Sequence, residues 1–374
     1  MAGIYIHIPF CKKKCHYCNF FSMASSRHMP SFVETIRKEV LIQKNYLKDE
    51  QINTIYLGGG TPSLLNGSML NAMFEDLYLH FDVSPAAEIT IEANPDDVKR
   101  EWIREIGDTS INRVSLGVQS FFDDDLAYLN RVHSAEDADR AIKNLQDSGL
   151  ENITIDLIYG IPGLDSVKWE QNLKRFFDYK LPHLSAYALT VEEKTALHTL
   201  IKKGKTQSPE DASIVEQFKM LLELTEENQF IHYEISNFAR EGHYSQHNSL
   251  YWTGGHYLGL GPSAHSYNGY SRRWNMPSMK AWLDLAEYYD ESFEEEVLTV
   301  DQRYNEYVMT SLRTIWGCDI AVVRQEFGEK HATHLLEGSD HYIADNSLIF
   351  KGSRLFLTNK GKLFADGIAS DLFV

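Results

Sequence analysis

Short β-branched strands alternate with helical stretches through the first half of the chain, and that rhythm limits what it can fold into more than any single residue does. Strands are expected at residues 3–8, 54–57, 88–92, 113–117, 152–157 and 183–188. Helical patterns fall between and after them, at 31–46, 68–81, 135–148, 167–177 and 209–227. A β-then-α order of this kind implies a parallel sheet, because parallel neighbours need a crossover and a helix supplies it. Nearly continuous apolar runs, such as Ile153 to Ile158, suit a sheet covered on both faces. The expectation is an α/β fold: an open or partial (β/α)6 barrel of the TIM type, with a doubly wound sheet as the alternative.

The rest of the chain reads differently. Residues 236–275 are rich in glycine and aromatic side chains and read as a loop region. A helical stretch at 279–289 leads into an acidic run, 290–296, expected to be a solvated linker. From Val297 onward, helices are expected at 302–316, 320–327 and 330–338, then a hairpin of 348–350 with 355–357, then a last helix from Lys360. Helices followed by a hairpin look like a small winged-helix-type module, a lid or docking piece without a mark of chemistry. The expected division is a core at 1–235, a connecting region at 236–296 and a C-terminal domain at 297–374.

With 374 residues, 43% of them hydrophobic, the chain is long enough for one large domain and a smaller one. Its 53 acidic against 36 basic residues leave a net charge of −17. Nucleic acid is therefore not expected as a partner, since phosphates need a basic face. No apolar run reaches the length of a membrane span, and the first residues lack the basic and long apolar stretches of a secretory signal. Four cysteines, three of them clustered, fit a reducing compartment, so a cytoplasmic location is expected.

The clustered cysteines, Cys11, Cys15 and Cys18, form a C-x3-C-x2-C pattern in the loop after the first strand. Three thiolates are one short of what a fully ligated [4Fe–4S] cluster uses. One iron is then open and can hold a small molecule. A zinc site would need a fourth ligand, and the adjacent His16 is poorly directed to share a metal with Cys15 and Cys18. A disulfide set is odd-numbered, with Cys318 alone left elsewhere. The cluster is the expected reading.

Reactive groups in parallel barrels collect where strands run out at their C-terminal ends. Applied here, the rule assembles the cysteines, then Gly58-Gly59-Gly60-Thr61-Pro62, then Glu92, Gln119, Asp156 and Tyr187, one group per strand. Glycines let a backbone approach a ligand closely. The triplet lacks the Gly-Lys-Ser/Thr ending of a phosphate loop. A structural acid capping the following helix is the alternative for Glu92, and Arg131, by pattern alone, is a surface residue.

Together these residues resemble the radical S-adenosylmethionine superfamily and, more narrowly, the oxygen-independent coproporphyrinogen III oxidase family. The matching text is Tyr5-Ile6-His7-Ile8-Pro9-Phe10-Cys11, Cys15-His16-Tyr17-Cys18, Tyr56-Leu57-Gly58-Gly59-Gly60-Thr61-Pro62, Gly117-Val118-Gln119-Ser120-Phe121 and Asp156-Leu157-Ile158-Tyr159-Gly160-Ile161-Pro162-Gly163. The resemblance covers most of the chain and implies roles. Cys11, Cys15 and Cys18 would ligate the [4Fe–4S] cluster. S-adenosylmethionine would chelate the open iron, and one electron would cleave it to methionine and a 5′-deoxyadenosyl radical. Tyr5, Tyr17, Gly59 and Glu92 match family positions around that molecule. Gly60, Thr61, Gln119, Arg131 and Asp156 match positions around a second S-adenosylmethionine in the decarboxylating oxidase.

One departure separates branches of the family. The oxidase has a further cysteine two residues beyond the third, where this chain has Phe20, and it carries a longer segment ahead of the position of Tyr5. Both features look like the haem-chaperone branch, HemW. The H-N-x-x-Y-W motif of that branch reads here as His247-Asn248-Ser249-Leu250-Tyr251-Trp252. An imidazole can be an axial iron ligand. Tyr251 and Trp252 offer flat apolar faces to a porphyrin, and Gly254 and Gly255 leave room. Core packing is the alternative for His247, and His243, His256 and His265 are competing ligands. The implied function is to bind haem and pass it to acceptor proteins, respiratory ones at the membrane among them. The alternative is an enzyme that oxidatively decarboxylates coproporphyrinogen III. A radical methyltransferase fits the barrel but not this set of motifs.

Overall fold

The computed structural model describes residues 1–48, 50–284 and 293–374. All six expected strands form: β1 (Ala2–Ile8), β2 (Ile52–Gly59), β3 (Val83–Ala93), β4 (Arg113–Gln119), β5 (Ile153–Tyr159) and β6 (His183–Ala188). They lie side by side in that order, every neighbour parallel. Helices Met29–Gln43, Gly67–His80, Arg100–Gly107, Ala135–Asp147 and Ser166–Asp178 supply crossovers. Polar caps start several of them. The Asn66 side chain accepts from the Met69 amide, Asp165 from the Lys168 amide, and Ser134 with Asp137 makes a reciprocal capping box. Helices Arg100–Gly107 and Asp123–Leu129 were not expected from pattern.

The strands are not apolar on both faces. Successive side chains of a strand point to opposite sides. In β1, Ile4, Ile6 and Ile8 join the core under the helices, while Tyr5 and His7 turn to the other side. Thr54, Tyr56 and Gly58 of β2 lie on that inner side, with Glu88 and Glu92 of β3, Arg113 and Ser115 of β4, and Thr154 and Asp156 of β5. The barrel interior is therefore polar and hydrogen-bonded. Short strands flanked by apolar neighbours hide this alternation in a linear reading.

Residues 236–275 are largely regular, not loop. β7 (Ile231–Glu234) and β8 (Asn237–Ala239) extend the sheet beyond β6, and helix Gln246–Trp252 follows. β9 (His256–Leu260) then pairs parallel with β1 on its free side, and β10 (His265–Tyr267) and β11 (Ser271–Asn275) continue antiparallel. These strands are only three to five residues long. Their extended state comes from sheet edges, those of β6 and β1 for β8 and β9 and those of the added strands for the rest, which local sequence does not report.

The end of the acidic run is β12 (Phe293–Val297), paired with β11, with Arg272 opposite Glu296 and Arg273 opposite Glu295. Opposite charges across a strand pair replace the expected solvated linker there. The rest of that run, 290–292, and the end of the expected helix, 285–289, lie outside the described residues; helix Met279–Leu283 is the described part. Among the described residues the twelve-stranded sheet stays open, with β12 and β7 at its edges. Glu39 ties the extension to the core. It is fully buried and accepts from the Gly261 amide (2.8 Å), Asn275 Nδ2 (2.6 Å) and Trp282 Nε1 (3.0 Å).

The C-terminal module has the expected order. Helices Val300–Leu312, Ile320–Phe327 and Glu329–Ala344 precede the hairpin of β14 (Leu348–Lys351) and β15 (Arg354–Leu357), and a short strand β13 (Cys318–Asp319), between the first two helices, joins it with β15 central. Two short helices, Asn359–Lys362 and Ala365–Asp371, end the chain. The module has its own apolar core around Tyr304, Val308, Leu335 and Leu355, and Cys318 is buried in it. It packs on β7: the Ile235 amide donates to the Arg313 carbonyl (3.1 Å) and the Ile315 amide to that of Tyr233 (3.0 Å).

Candidate cluster and cofactor site

A cavity of about 540 Å³ opens at the C-terminal ends of β2 to β6. Its wall brings together Cys11, Cys15, Tyr17, Cys18, Gly59, Gly60, Thr61, Glu92, Gln119, Arg131, Asp156 and Tyr187, all named from sequence. No residue of the C-terminal module lines it.

The cysteine loop is pinned on both sides. The Cys11 amide donates to the Met23 carbonyl (3.0 Å), and the His16 amide to that of Leu129 (3.1 Å). Asn130 Nδ2 donates to the Lys14 carbonyl (2.9 Å). His16 bonds through Nδ1 to the Tyr128 carbonyl (3.1 Å), so its ring is committed to the helix Asp123–Leu129. The three thiols are free. Among the described residues no three histidine, cysteine or acidic side chains converge as they would around a single metal ion. The thiols instead line one wall of a cavity, a soft donor set suited to a larger iron–sulfur group.

Arg131 is buried, not on the surface. Its Nη1 donates to Cys15 Sγ (3.3 Å), and its Nη2 to Asn94 Oδ1 (2.6 Å) and the Gly117 carbonyl (2.8 Å). Its Nε has no partner among the described residues. A Cβ at Gly117 would stand 3.2 Å from Nη2, so glycine makes room for this guanidinium. Gln119 ends β4 with φ of +68°. That region costs a non-glycine residue on the order of 1–3 kcal/mol and clusters at ligand sites.

Two acids face the same cavity. Glu92 accepts from Tyr56 Oη (2.9 Å) and the Gly59 amide (3.1 Å), and Asp156 from Ser115 Oγ (3.3 Å). Burial pushes Glu92 up to about 7, with the Asp156 charge raising it further, and pushes Asp156 up to about 6 against the opposing pull of Ser185, Arg113, Ser115 and Arg131. A cation in the cavity would relieve both.

The pH dependence follows in sign. Glu92 binds its proton more tightly folded than unfolded, so its contribution to stability is complete below about 4.5 and is lost as pH rises through about 7. In cation-free protein, the melting temperature of Glu92→Gln should gain on that of the parent between pH 5 and pH 8, and a constant difference would contradict the shift.

Tyr5 does not line the cavity. Its hydroxyl donates to His7 Nδ1 (3.1 Å), and His7 Nε2 donates to the Phe21 carbonyl (2.8 Å), which carries β1 into the cysteine loop. The motif His247 to Trp252 forms a helix elsewhere in the barrel. His247 is 1% exposed. Its Nδ1 pairs with Thr54 Oγ1 (2.8 Å) and its Nε2 with Tyr251 Oη (2.8 Å), so neither nitrogen is open to an iron. Tyr251 and Trp252 are half-buried, and the Arg313 guanidinium lies over the Trp252 ring at 5.1 Å. His256 is paired with Glu50 (2.7 Å), whereas His243 and His265 are exposed.

Sequence reasoning passed over His7, Tyr56, Asn94 and Ser115 as working parts of the site. Period-two spacing was the available signal: His7 follows Tyr5, Tyr56 precedes Gly58, and Asn94 follows Glu92.

An open parallel barrel whose first loop presents three thiols to a cavity at the strand ends defines a radical S-adenosylmethionine fold. The family model for the radical SAM superfamily matches residues 5–185, and that for the HemN C-terminal domain matches 298–364. The heme chaperone HemW of Mycobacterium tuberculosis is 33% identical, covering 99% of this chain and 94% of that protein. HemW of Bacillus subtilis is 31% identical over 98% of each. HemW of Escherichia coli is 34% identical over 70% of this chain and 69% of that protein. Coproporphyrinogen III oxidase (HemN) from Escherichia coli shares the fold, with a TM-score of 0.86 over 100% of this chain and 90% of that one, at 21% identity. The chain belongs to the radical SAM superfamily and, within it, to the coproporphyrinogen III oxidase-like family, in the haem-chaperone branch, HemW. Membership implies a [4Fe–4S] cluster and S-adenosylmethionine.

Proposed function

We propose that this protein is a cytoplasmic haem chaperone that binds haem and passes it to acceptor haemoproteins, respiratory ones at the membrane among them. The observation that carries this reading is Phe20. It is 62% exposed at the cavity mouth and stands where the resembling oxidase pattern has its further cysteine. Relatives of nearly full length that are named as heme chaperones support it.

Cys11, Cys15 and Cys18 would hold the cluster, which when bound supplies the electron that cleaves S-adenosylmethionine. The chain's own residues bind and orient. Glu92 and Asp156 offer negative charge to the ammonium and sulfonium of the ligand. Gly59, Gly60 and Thr61 present backbone and hydroxyl groups at close range, with Tyr17 and Gln119 at the wall. Arg131 braces the Cys15 loop against β4. Haem contact is assigned to the region of helix Gln246–Trp252, where Tyr251 and Trp252 are half-buried. Residues 297–374 serve as a docking module.

Haemin added to the purified protein should give a saturable Soret band at about one equivalent, with and without the cluster. Absence of a saturable band would refute the chaperone reading. The alternative, decarboxylation of coproporphyrinogen III, is excluded or established by an anaerobic assay with reconstituted cluster, S-adenosylmethionine and substrate.

A further inference from the structure

We infer that His247 and Tyr56 are positioning residues for Glu92, so that the His247 to Trp252 helix acts on the S-adenosylmethionine site and its histidine does not ligate haem iron. The inference rests on the reading that Glu92 holds S-adenosylmethionine.

The geometry runs in one line through the barrel. His247 enters from the side of Thr54, with its backbone amide donating to Glu88 Oε1 (3.0 Å). Its ring stacks on that of Tyr56, centroids 5.0 Å apart and planes 25° from parallel. Tyr5 completes a triangle of rings, 6.1 Å from Tyr56 and 6.4 Å from His247. Tyr56 then donates its hydroxyl to Glu92 Oε1 at 2.9 Å, and Glu92 Oε2 accepts from the Gly59 amide. Gly58 leaves the corridor open: a Cβ there would stand 2.8 Å from Tyr56 Cε1 and 3.0 Å from Glu92 Oε1. Glycine at 58 thus leaves the phenol its contact with the acid, and the His247 ring backs the phenol.

An iron ligand needs a free ring nitrogen. Both nitrogens of His247 are spent on hydroxyls, and the ring is buried among barrel residues. Burial also keeps the ring neutral, which suits a stacking surface. Freeing a nitrogen would leave the Thr54 or Tyr251 hydroxyl unpaired in the interior, which is unfavourable.

The test uses the reconstituted full chain, with S-adenosylmethionine affinity from equilibrium dialysis, the change that S-adenosylmethionine induces in the electron paramagnetic resonance of the reduced cluster, and haemin titration. Tyr56→Phe keeps the ring and deletes the hydroxyl. It should weaken S-adenosylmethionine binding roughly tenfold, the size of one hydrogen bond to a charged group, reduce the spectral change at subsaturating ligand, and leave the haemin titration as in the parent. His247→Phe keeps a ring behind Tyr56 but has no nitrogen. It should hold S-adenosylmethionine affinity within about threefold, judged against that single-bond scale, and keep the Soret position.

Parental S-adenosylmethionine affinity in Tyr56→Phe overturns the inference. So does loss or displacement of the Soret band in His247→Phe. Should His247→Phe fail to fold, Tyr56→Phe decides alone. Glu92→Gln separates the two levels. Parental affinity in that variant refutes the assignment of Glu92 itself, whereas weakened affinity there with none in Tyr56→Phe refutes only the positioning.

Discussion

Anaerobically reconstituted Cys15→Ala is expected to hold no [4Fe–4S] cluster: brown absorbance, iron and acid-labile sulfide all fall to background. Two remaining thiolates cannot replace three at a centre already lacking a fourth. Cys15 is also the thiol that Arg131 Nη1 touches, so its removal leaves a buried cation facing an alanine. The damage should stay local. The C-terminal module has a separate apolar core and contributes nothing to the cavity wall, so its limited-proteolysis pattern should match the parent. Undiminished iron, sulfide and absorbance in the variant would refute the ligand assignment. Zinc without sulfide in the parent would refute the cluster.

Gly59→Ala is the second large effect. Gly59 has φ of +103°, and a Cβ there would stand 2.5 Å from the His7 ring. That ring cannot swing aside without breaking its bonds to the Tyr5 hydroxyl and the Phe21 carbonyl. Strained backbone and overpacking each cost about 1–3 kcal/mol. The two act on one residue, so a fall in melting temperature on the order of 5 °C or more is expected. Because Phe21 belongs to the cysteine loop, cluster content after reconstitution should fall as well. Gly107→Ala is the control. Beyond its chain neighbours and its own helix backbone no atom lies within 4 Å of a Cβ there, and its melting temperature should stay near the parent's. Equal melting temperatures for the two variants would contradict the role given to Gly59.

The sequence by itself determined the six parallel strands, the placement of the three cysteines after the first, and the groups that gather where the strands end. All of these follow from local pattern. β-branched runs, helix caps and turn glycines act within a few residues of themselves, and strand ends inherit their position from the strands. Cys11, Cys15, Cys18, Gly59, Gly60, Thr61, Glu92, Gln119, Asp156 and Tyr187 share one cavity wall for that reason.

Tertiary structure alone decided the rest. Arg131 has no local sign of burial; Asn94, Gly117 and Cys15, all distant in sequence, draw it inward. β8 and β9 are too short to declare themselves and become strands on the edges of β6 and β1, and β10 to β12 then add beyond β9 one after another. His247 carries the same letters whether it faces a porphyrin or the barrel interior. What turns it inward is a pair of hydroxyls, one from a strand 193 residues away and one from its own helix. A hydrogen bond between groups so far apart in sequence exists only once the chain has closed around it.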